Sequence, residues 1–164
     1  MIPVISFIGR SGIGKTTYLE KLIVELKRRG YRIAVIKHDI HGFEMDRPGK
    51  DTWRHAQAGA DVVCISSFEK FALIKKLQRD MPLDEIVSRI DDVDIILVEG
   101  YKNHSIHRVE IFRQDAGREP LNRPEDIFAV ISDLPLYPNL PHFSLNAPTD
   151  FATFLEDRLR ENWK

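Results

Sequence analysis

"FIGRSGIGKTTYLEKLI", residues 7–23, decides how the rest of the chain is read. Gly9 to Thr16 fits G-x-x-x-x-G-K-[ST] at every fixed position. The apolar "VISFI" (4–8) before it predicts a strand. After it, Leu19, Leu22, Ile23 and Leu26 recur at helical spacing, and Gly30 supplies a stop. Strand, glycine loop and helix in that order are the context in which such a loop cradles phosphates. Gly9, Gly12 and Gly14 let the backbone turn tightly and bring its N–H groups to phosphate oxygens. The helix N-terminus adds free donors and a favourable dipole. The candidate nucleotide ligands are therefore Gly9, Arg10, Ser11, Gly12, Ile13, Gly14, Lys15, Thr16 and Thr17. Lys15 can place its charge between the β- and γ-phosphates, and Thr16 can give its hydroxyl to Mg²⁺.

A phosphate loop needs a carboxylate from the end of a neighbouring strand to complete the metal shell. "VDIILVEG" (93–100) is the most apolar run of the second half and reads as a central strand. It carries Glu99 at its carboxyl end, where ligands of such sheets bind, and Asp94 at the far end. Gly100 beside Glu99 allows the backbone to approach phosphates. "RIAVIKH" (32–38) reads as a second buried strand. Asp39 just beyond it either holds a metal-bound water or orients an attacking one, or is a plain loop carboxylate. Lys37 and His38 share that rim. The turn-rich segment 39–50 ends in "DRPGKD", where Asp46, Arg47, Lys50 and Asp51 offer a sensor for the γ-phosphate or for a second anion. "AVISDLP" (129–135) puts Ser132 and Asp133 after a late strand; a carboxylate there can accept from guanine N1 and N2.

The 164 residues fit one domain, residues 1–164, and can bury a core without staples. With 24 basic and 25 acidic residues the net charge is −1, which supplies no global attraction to nucleic acid or to a membrane surface. Cys64 is the only cysteine, so no intrachain disulfide can form, which suits a reducing cytoplasm. In the run "DVVCISS" it reads as a small buried core residue. No apolar run has the length of a membrane span. The short "MIPVISFIGR" lacks a basic leader and reads as a buried strand.

"DTWRHAQAGA" (51–60) predicts a short helix capped by Asp51 and ended by Gly59. "DVVCIS" and "KFALIKKL" predict a hairpin about Ser67–Glu69. "PLDEIVSRI" predicts a helix opened by Pro82. The polar "HRVEIFR" (107–113) reads as a strand near a sheet edge. "APTDFATFLEDRL" predicts a closing helix capped by Thr149 or Asp150. His38, His41, His55, His104 and His107 have loose spacings and no cysteine support, so phosphate contact or solvent exposure outranks zinc. Trp53 and Trp163 read as packing residues. The fold class is α/β: a mixed, mainly parallel sheet flanked by helices, with a β-rich extension.

"GRSGIGKTT", "VIKHD", "DRPGKD", "LVEGYK" and "AVISDLPL" occur in the order and spacing of the MobB family, the molybdopterin-guanine dinucleotide biosynthesis adaptor proteins, and the chain resembles that family over nearly its whole length. The resemblance implies a GTP-binding protein with weak Mg²⁺-dependent GTPase activity, and a homodimer with an extended β-sheet. It also implies work beside the MobA-like guanylyltransferase that joins GMP to molybdopterin, with molybdopterin itself a further candidate ligand. Gly12, Gly14, Lys15 and Thr16 match the family's phosphate loop, Glu99 matches the carboxylate after its "LVEG" strand, and "DRPGKD" matches a segment near the nucleotide. Guanine preference rests on the resemblance, since no Asn-Lys-x-Asp tetrad is present. The polar strand 107–113 offers an edge for a second subunit.

Three functions compete. A GTP-binding adaptor with slow hydrolysis fits a loop with no evident water-positioning group or arginine finger. A small-molecule kinase using ATP would take Asp39 as base, but no arginine-rich lid segment is evident. An interaction module with a vestigial loop fits least, because Gly14-Lys15-Thr16 is intact.

Overall fold

The computed structural model describes residues 2–39, 41–101, 107–116 and 119–161. In chain order the elements are β1 (Val4–Ile8), α1 (Lys15–Arg28), β2 (Ile33–Lys37), α2 (Asp51–Gln57), β3 (Val62–Ser66), β4 (Phe71–Lys75), α3 (Leu83–Val87), β5 (Ile95–Glu99), β6 (His107–Phe112), β7 (Ala129–Ser132), β8 (His142–Ser144) and α4 (Pro148–Arg160), with two short 3₁₀ turns between β6 and β7. The chain forms two compact units: one holds residues up to His38 and from Val87 onward, the other Asp39–Ile86.

The first unit is built on a six-stranded sheet in the order β2-β5-β1-β6-β7-β8. Every neighbouring pair in it is parallel. Side chains alternate across a strand. Thus Ile5 and Phe7 of β1, Leu97 of β5, Val109 and Ile111 of β6 and Ile131 of β7 share one buried cluster with Leu22 and Leu26 of α1 and with Phe151 and Leu155 of α4. Each such side chain contributes about 1.5–3 kcal/mol on leaving water. On the opposite face Ile8, Ile127 and Val130 pack with Leu136, Tyr137 and Leu140. Arg29 locks the two helices together: its guanidinium reaches Glu25 at 2.7 Å, the Glu156 carboxylate, and the Thr149 carbonyl at 3.0 Å.

The second unit contains α2 and the antiparallel hairpin β3–β4, paired from Val62–Lys75 to Ser66–Phe71. The turn expected at Ser67–Glu69 closes it, with the Ser67 N–H on the Lys70 carbonyl at 2.7 Å. A two-stranded ribbon has little area for covering its own faces, and Ile65, Phe71 and Leu73 are all more than half exposed.

The structure corrects several sequence expectations. Strand 107–113 is not near an edge: β6 lies between β1 and β7. Its polar appearance comes from Glu110, which is buried yet hydrogen-bonded, and so mimics a solvent-facing residue. The edges are instead β8 and β2; among the described residues β2 pairs with β5 alone and leaves Val35 half exposed. Cys64 is exposed, because it sits on the thin hairpin and not in the sheet core. Asp51 is the first residue of α2 and Lys50 its cap, while α4 starts at Pro148 behind Ala147, and neither helix has a side-chain cap. Strand β8 carries no sequence signal beyond three residues. Asp94 does mark the far end of β5, where its carboxylate takes the Arg32 N–H at 2.7 Å and its guanidinium at 2.9 Å. Trp163 and His104 lie outside the described residues. No described helix is long and apolar enough to cross a membrane.

Candidate nucleotide-phosphate site

The loop between β1 and α1 emerges at the carboxyl ends of β5, β1 and β6. Parallel strands put all these ends on one edge of the sheet, where a doubly wound fold binds its ligands. Gly9 is obligatory there for a spatial reason. A Cβ at this position would lie 2.5 Å from the Ile111 carbonyl oxygen of β6. Gly14 has φ 103° and opens α1 with no side-chain cap, which leaves the first N–H groups of the helix to another acceptor.

Lys15 turns back on its own loop. Its Nζ donates to the Gly9 carbonyl at 3.0 Å and to the Arg10 carbonyl at 2.9 Å. Thr16, one residue into the helix, donates Oγ1 toward Glu99, 3.1 Å from each carboxylate oxygen. Glu99 reaches it because β5 pairs with both β1 and β2: Glu99 stands opposite Phe7 on one side and Lys37 on the other.

The turn after Glu99 is tightly held. Gly100 has φ 106°, and Tyr101 has φ 49°, unusual for a bulky residue. A Cβ on Gly100 would come within 3.0 Å of His38 Cβ. The Ser6 hydroxyl donates to the Gly100 carbonyl at 2.9 Å, the His38 N–H donates to the Glu99 carbonyl at 2.9 Å, and the His38 and Tyr101 rings stack at 4.2 Å. A strained, over-determined turn of this kind keeps the preceding carboxylate in one place.

Ser11 is exposed and Ile13 buried within the loop, and Thr17 lies exposed on the first turn of α1. Arg10 Nε donates to the Glu119 carbonyl at 3.1 Å. Asp39, Asp46, Lys50 and Asp51 belong to the second unit. There the Asp39 carboxylate accepts the His41 N–H at 3.0 Å, Asp46 accepts the Arg47 N–H at 2.8 Å, and Lys50 closes a turn onto the Arg47 carbonyl at 3.2 Å. Ser132 is buried, its hydroxyl engaged by the Leu134 carbonyl and by His142 Nε2 at 3.0 Å. Asp133 accepts the Gln114 N–H at 3.0 Å and so ties the end of β7 to the end of β6. Beside that tie lies an open cavity of about 580 Å³ whose walls include Phe112, Asn122, Leu134 and Tyr137. Among the described residues, no three His, Cys, Asp or Glu side chains gather as metal ligands.

Two residues of this edge escape sequence reasoning. The Glu110 carboxylate accepts the backbone N–H groups of Leu121 at 2.6 Å and Asn122 at 3.2 Å, and so pins the loop that receives Arg10. Arg113, the first residue after β6, lies with Nη2 3.7 Å from where a Gly14 Cβ would be. The strand-end rule that picks out Glu99 applies equally to Arg113 once β6 is known to adjoin β1.

A family model described as "Molybdopterin guanine dinucleotide synthesis protein B" matches residues 4–133, from β1 through Asp133. The chain belongs to the MobB family. The molybdopterin-guanine dinucleotide biosynthesis adapter protein of Escherichia coli K12 is 36% identical over 167 aligned positions, spanning 98% of this chain and 95% of its own length. The adapter protein of the same name from Haemophilus influenzae is 35% identical, over 96% of this chain and 90% of its own. A crystal structure titled molybdopterin-guanine biosynthesis protein B (mobB) superposes with a TM-score of 0.72 at 25% identity, covering 94% of this chain and 98% of the other. The parallel sheet flanked by helices is thus the MobB fold.

Proposed function

We propose that this MobB-family chain is an adapter of molybdopterin guanine dinucleotide biosynthesis that binds Mg²⁺-GTP at its phosphate loop and assists the guanylyltransferase of that step. The observation that carries the reading is the convergence of Lys15, Thr16 and Glu99 on one strand edge. Lys15 Nζ rests on backbone carbonyls, weak partners that phosphate oxygens outcompete as charge-assisted acceptors. Thr16 and Glu99 offer the hydroxyl and carboxylate oxygens that a hard divalent cation takes. The groups present therefore fit a magnesium–triphosphate. The bound cation would supply charge neutralisation between the phosphates, while Lys15 and the α1 N-terminus hold the chain of phosphates against the loop.

Hydrolysis is slow in this reading. Glu99 is committed to Thr16, and Asp39 serves the His41 backbone, so neither is poised to orient water. The homodimer belongs to the same proposal. Its contact is the hairpin β3–β4, which leaves Phe71 and Leu73 exposed on one face and Ile65 on the other, apolar surface of the sort that partners cover. Sedimentation as a monomer at micromolar concentration removes that part.

Calorimetric titration with GTP and with ATP, each with and without Mg²⁺, tests the whole. Mg²⁺-dependent preference for GTP supports the adapter. Preference for ATP turns the reading to a small-molecule kinase, and binding of neither turns it to a module whose loop is vestigial.

A further inference from the structure

We infer that Arg113 is a second cationic ligand of the phosphate chain, supplied in cis from the end of β6. This rests on the phosphate-loop reading above and extends it to a residue outside the loop. Arg113 follows Phe112, the last residue of β6, and β6 runs parallel to β1 with Ile8 opposite Glu110. That register delivers the residue after β6 to the edge where β1 gives way to the loop. Its Nη2 lies 3.7 Å from the point a Gly14 side chain would occupy, so the guanidinium covers the face that glycine leaves open.

Other arginines lean on carboxylates: Arg28 and Arg29 on Glu25, Arg32 on Asp94, Arg158 on Glu161. Among the described residues, Arg113 has no ion pair and no hydrogen-bond acceptor. It is also exposed, so its tip is free to swing. Gly14 opens α1, so the positive end of that helix stands beside the guanidinium, and Lys15 belongs to the same loop. Of the carboxylates at this edge, Glu99 faces Thr16 and Asp133 takes the Gln114 N–H at 3.0 Å. A guanidinium and the positive end of a helix meeting about one glycine favour an anion between them. A polyphosphate fits, because a planar guanidinium grips two of its oxygens at once.

The test compares wild type, Arg113→Ala, Arg113→Lys and Lys15→Ala, each confirmed folded by circular dichroism. Inorganic tripolyphosphate and GTP, both with Mg²⁺, are the probes. Arg113→Ala should weaken both roughly tenfold, the worth of one charge-assisted contact, and should flatten the salt dependence. Arg113→Lys should recover part of the loss, since a point charge cannot bind two oxygens in a fork. If Lys15→Ala loses tripolyphosphate while Arg113→Ala binds it as wild type does, the inference on Arg113 falls and the phosphate loop stands. Loss of GTP affinity with tripolyphosphate unchanged would move Arg113 from the phosphates to the base and also overturns it. If wild type does not take tripolyphosphate, or Lys15→Ala takes it equally well, the phosphate-loop reading fails and Arg113 with it.

Discussion

Thr16 and Glu99 stand 83 positions apart in sequence, yet the Thr16 hydroxyl is 3.1 Å from both oxygens of the Glu99 carboxylate. One group opens a helix and the other ends the adjacent strand. The parallel pairing of β1 with β5 is what brings them together. In the proposed reading the acid and the hydroxyl ligate a cation between them, and removing either should show as lost metal dependence.

Glu99→Gln should therefore weaken nucleotide binding in Mg²⁺ about tenfold or more and leave Mg²⁺-free binding near the wild-type value, since an amide oxygen is a poorer ligand for a hard cation. Titration of GTP with and without metal reads the difference. Equal losses under the two conditions would take Glu99 out of the metal shell.

Lys15→Ala should fold and lose most nucleotide affinity, roughly a hundredfold, as a charged phosphate contact disappears. Its Nζ donates to the Gly9 and Arg10 carbonyls of its own loop and not to the packed core, so the melting temperature should move little. A folded variant with unchanged GTP affinity would contradict the phosphate-loop assignment.

The phosphate loop, α1, the central position of β5 and the hairpin were all legible in residues, because each has a short-range signature. Glycine spacing marks the loop, helical periodicity marks α1, and an uninterrupted apolar run marks β5. Lateral strand order has no such signature. It placed β2 at the edge and β6 inside, the reverse of what their polarity suggested. Polarity misled because Glu110 is satisfied by backbone donors in the interior, and because β2 keeps apolar residues on an edge. Cys64 is exposed for a related reason: an apolar run in a two-stranded ribbon need not be buried. The place of Glu99 at a strand end was legible in the residues, whereas the nearness of Arg113 to Gly14 follows only from β6 adjoining β1.

Tyr18 carries a buried hydroxyl without a hydrogen-bond partner among the described residues, packed edge-on to Phe151. Burial first, and the nearby Asp150 charge second, push its ionisation far above the ordinary tyrosine value. The hydroxyl thus loses water without compensation. Tyr18→Phe should leave stability unchanged or raise it by about 1 kcal/mol in urea unfolding. A loss of more than that amount would reveal a partner for the hydroxyl.

His107 opens β6 with its ring edge-on to Phe128, and burial lowers its pKa below the ordinary 6.5. The unfolded chain then binds this proton more readily than the folded one. Stability should fall as pH is lowered through 6.5, and the contribution should level off below the folded value. His107→Asn should flatten that part of the profile while leaving the alkaline side unchanged. A variant profile parallel to wild type between pH 7 and pH 5 assigns the slope elsewhere.

Glu110 offers the sharpest check on how the site is supported. Its buried carboxylate accepts from Leu121 N at 2.6 Å, Asn122 N at 3.2 Å and Asn122 Nδ2 at 3.2 Å. The same loop gives its Glu119 carbonyl to Arg10 of the phosphate loop and its Asn122 carbonyl to the Tyr137 hydroxyl. Glu110→Ala strands those donors and should cost about 3 kcal/mol. Glu110→Gln keeps the size and one acceptor oxygen but turns an NH₂ toward other donors, so its cost should be smaller, about 1–2 kcal/mol. In the glutamine variant the Leu121 and Asn122 amides should exchange with solvent at least tenfold faster, while those of β1 and β5 stay protected. Because Arg10 is held by that loop, tripolyphosphate affinity should fall modestly as well. Unaltered exchange at Leu121 and Asn122 in a folded Glu110→Gln protein would show that the loop is held by other contacts, and that Glu110 is tolerated in the sheet without being needed there.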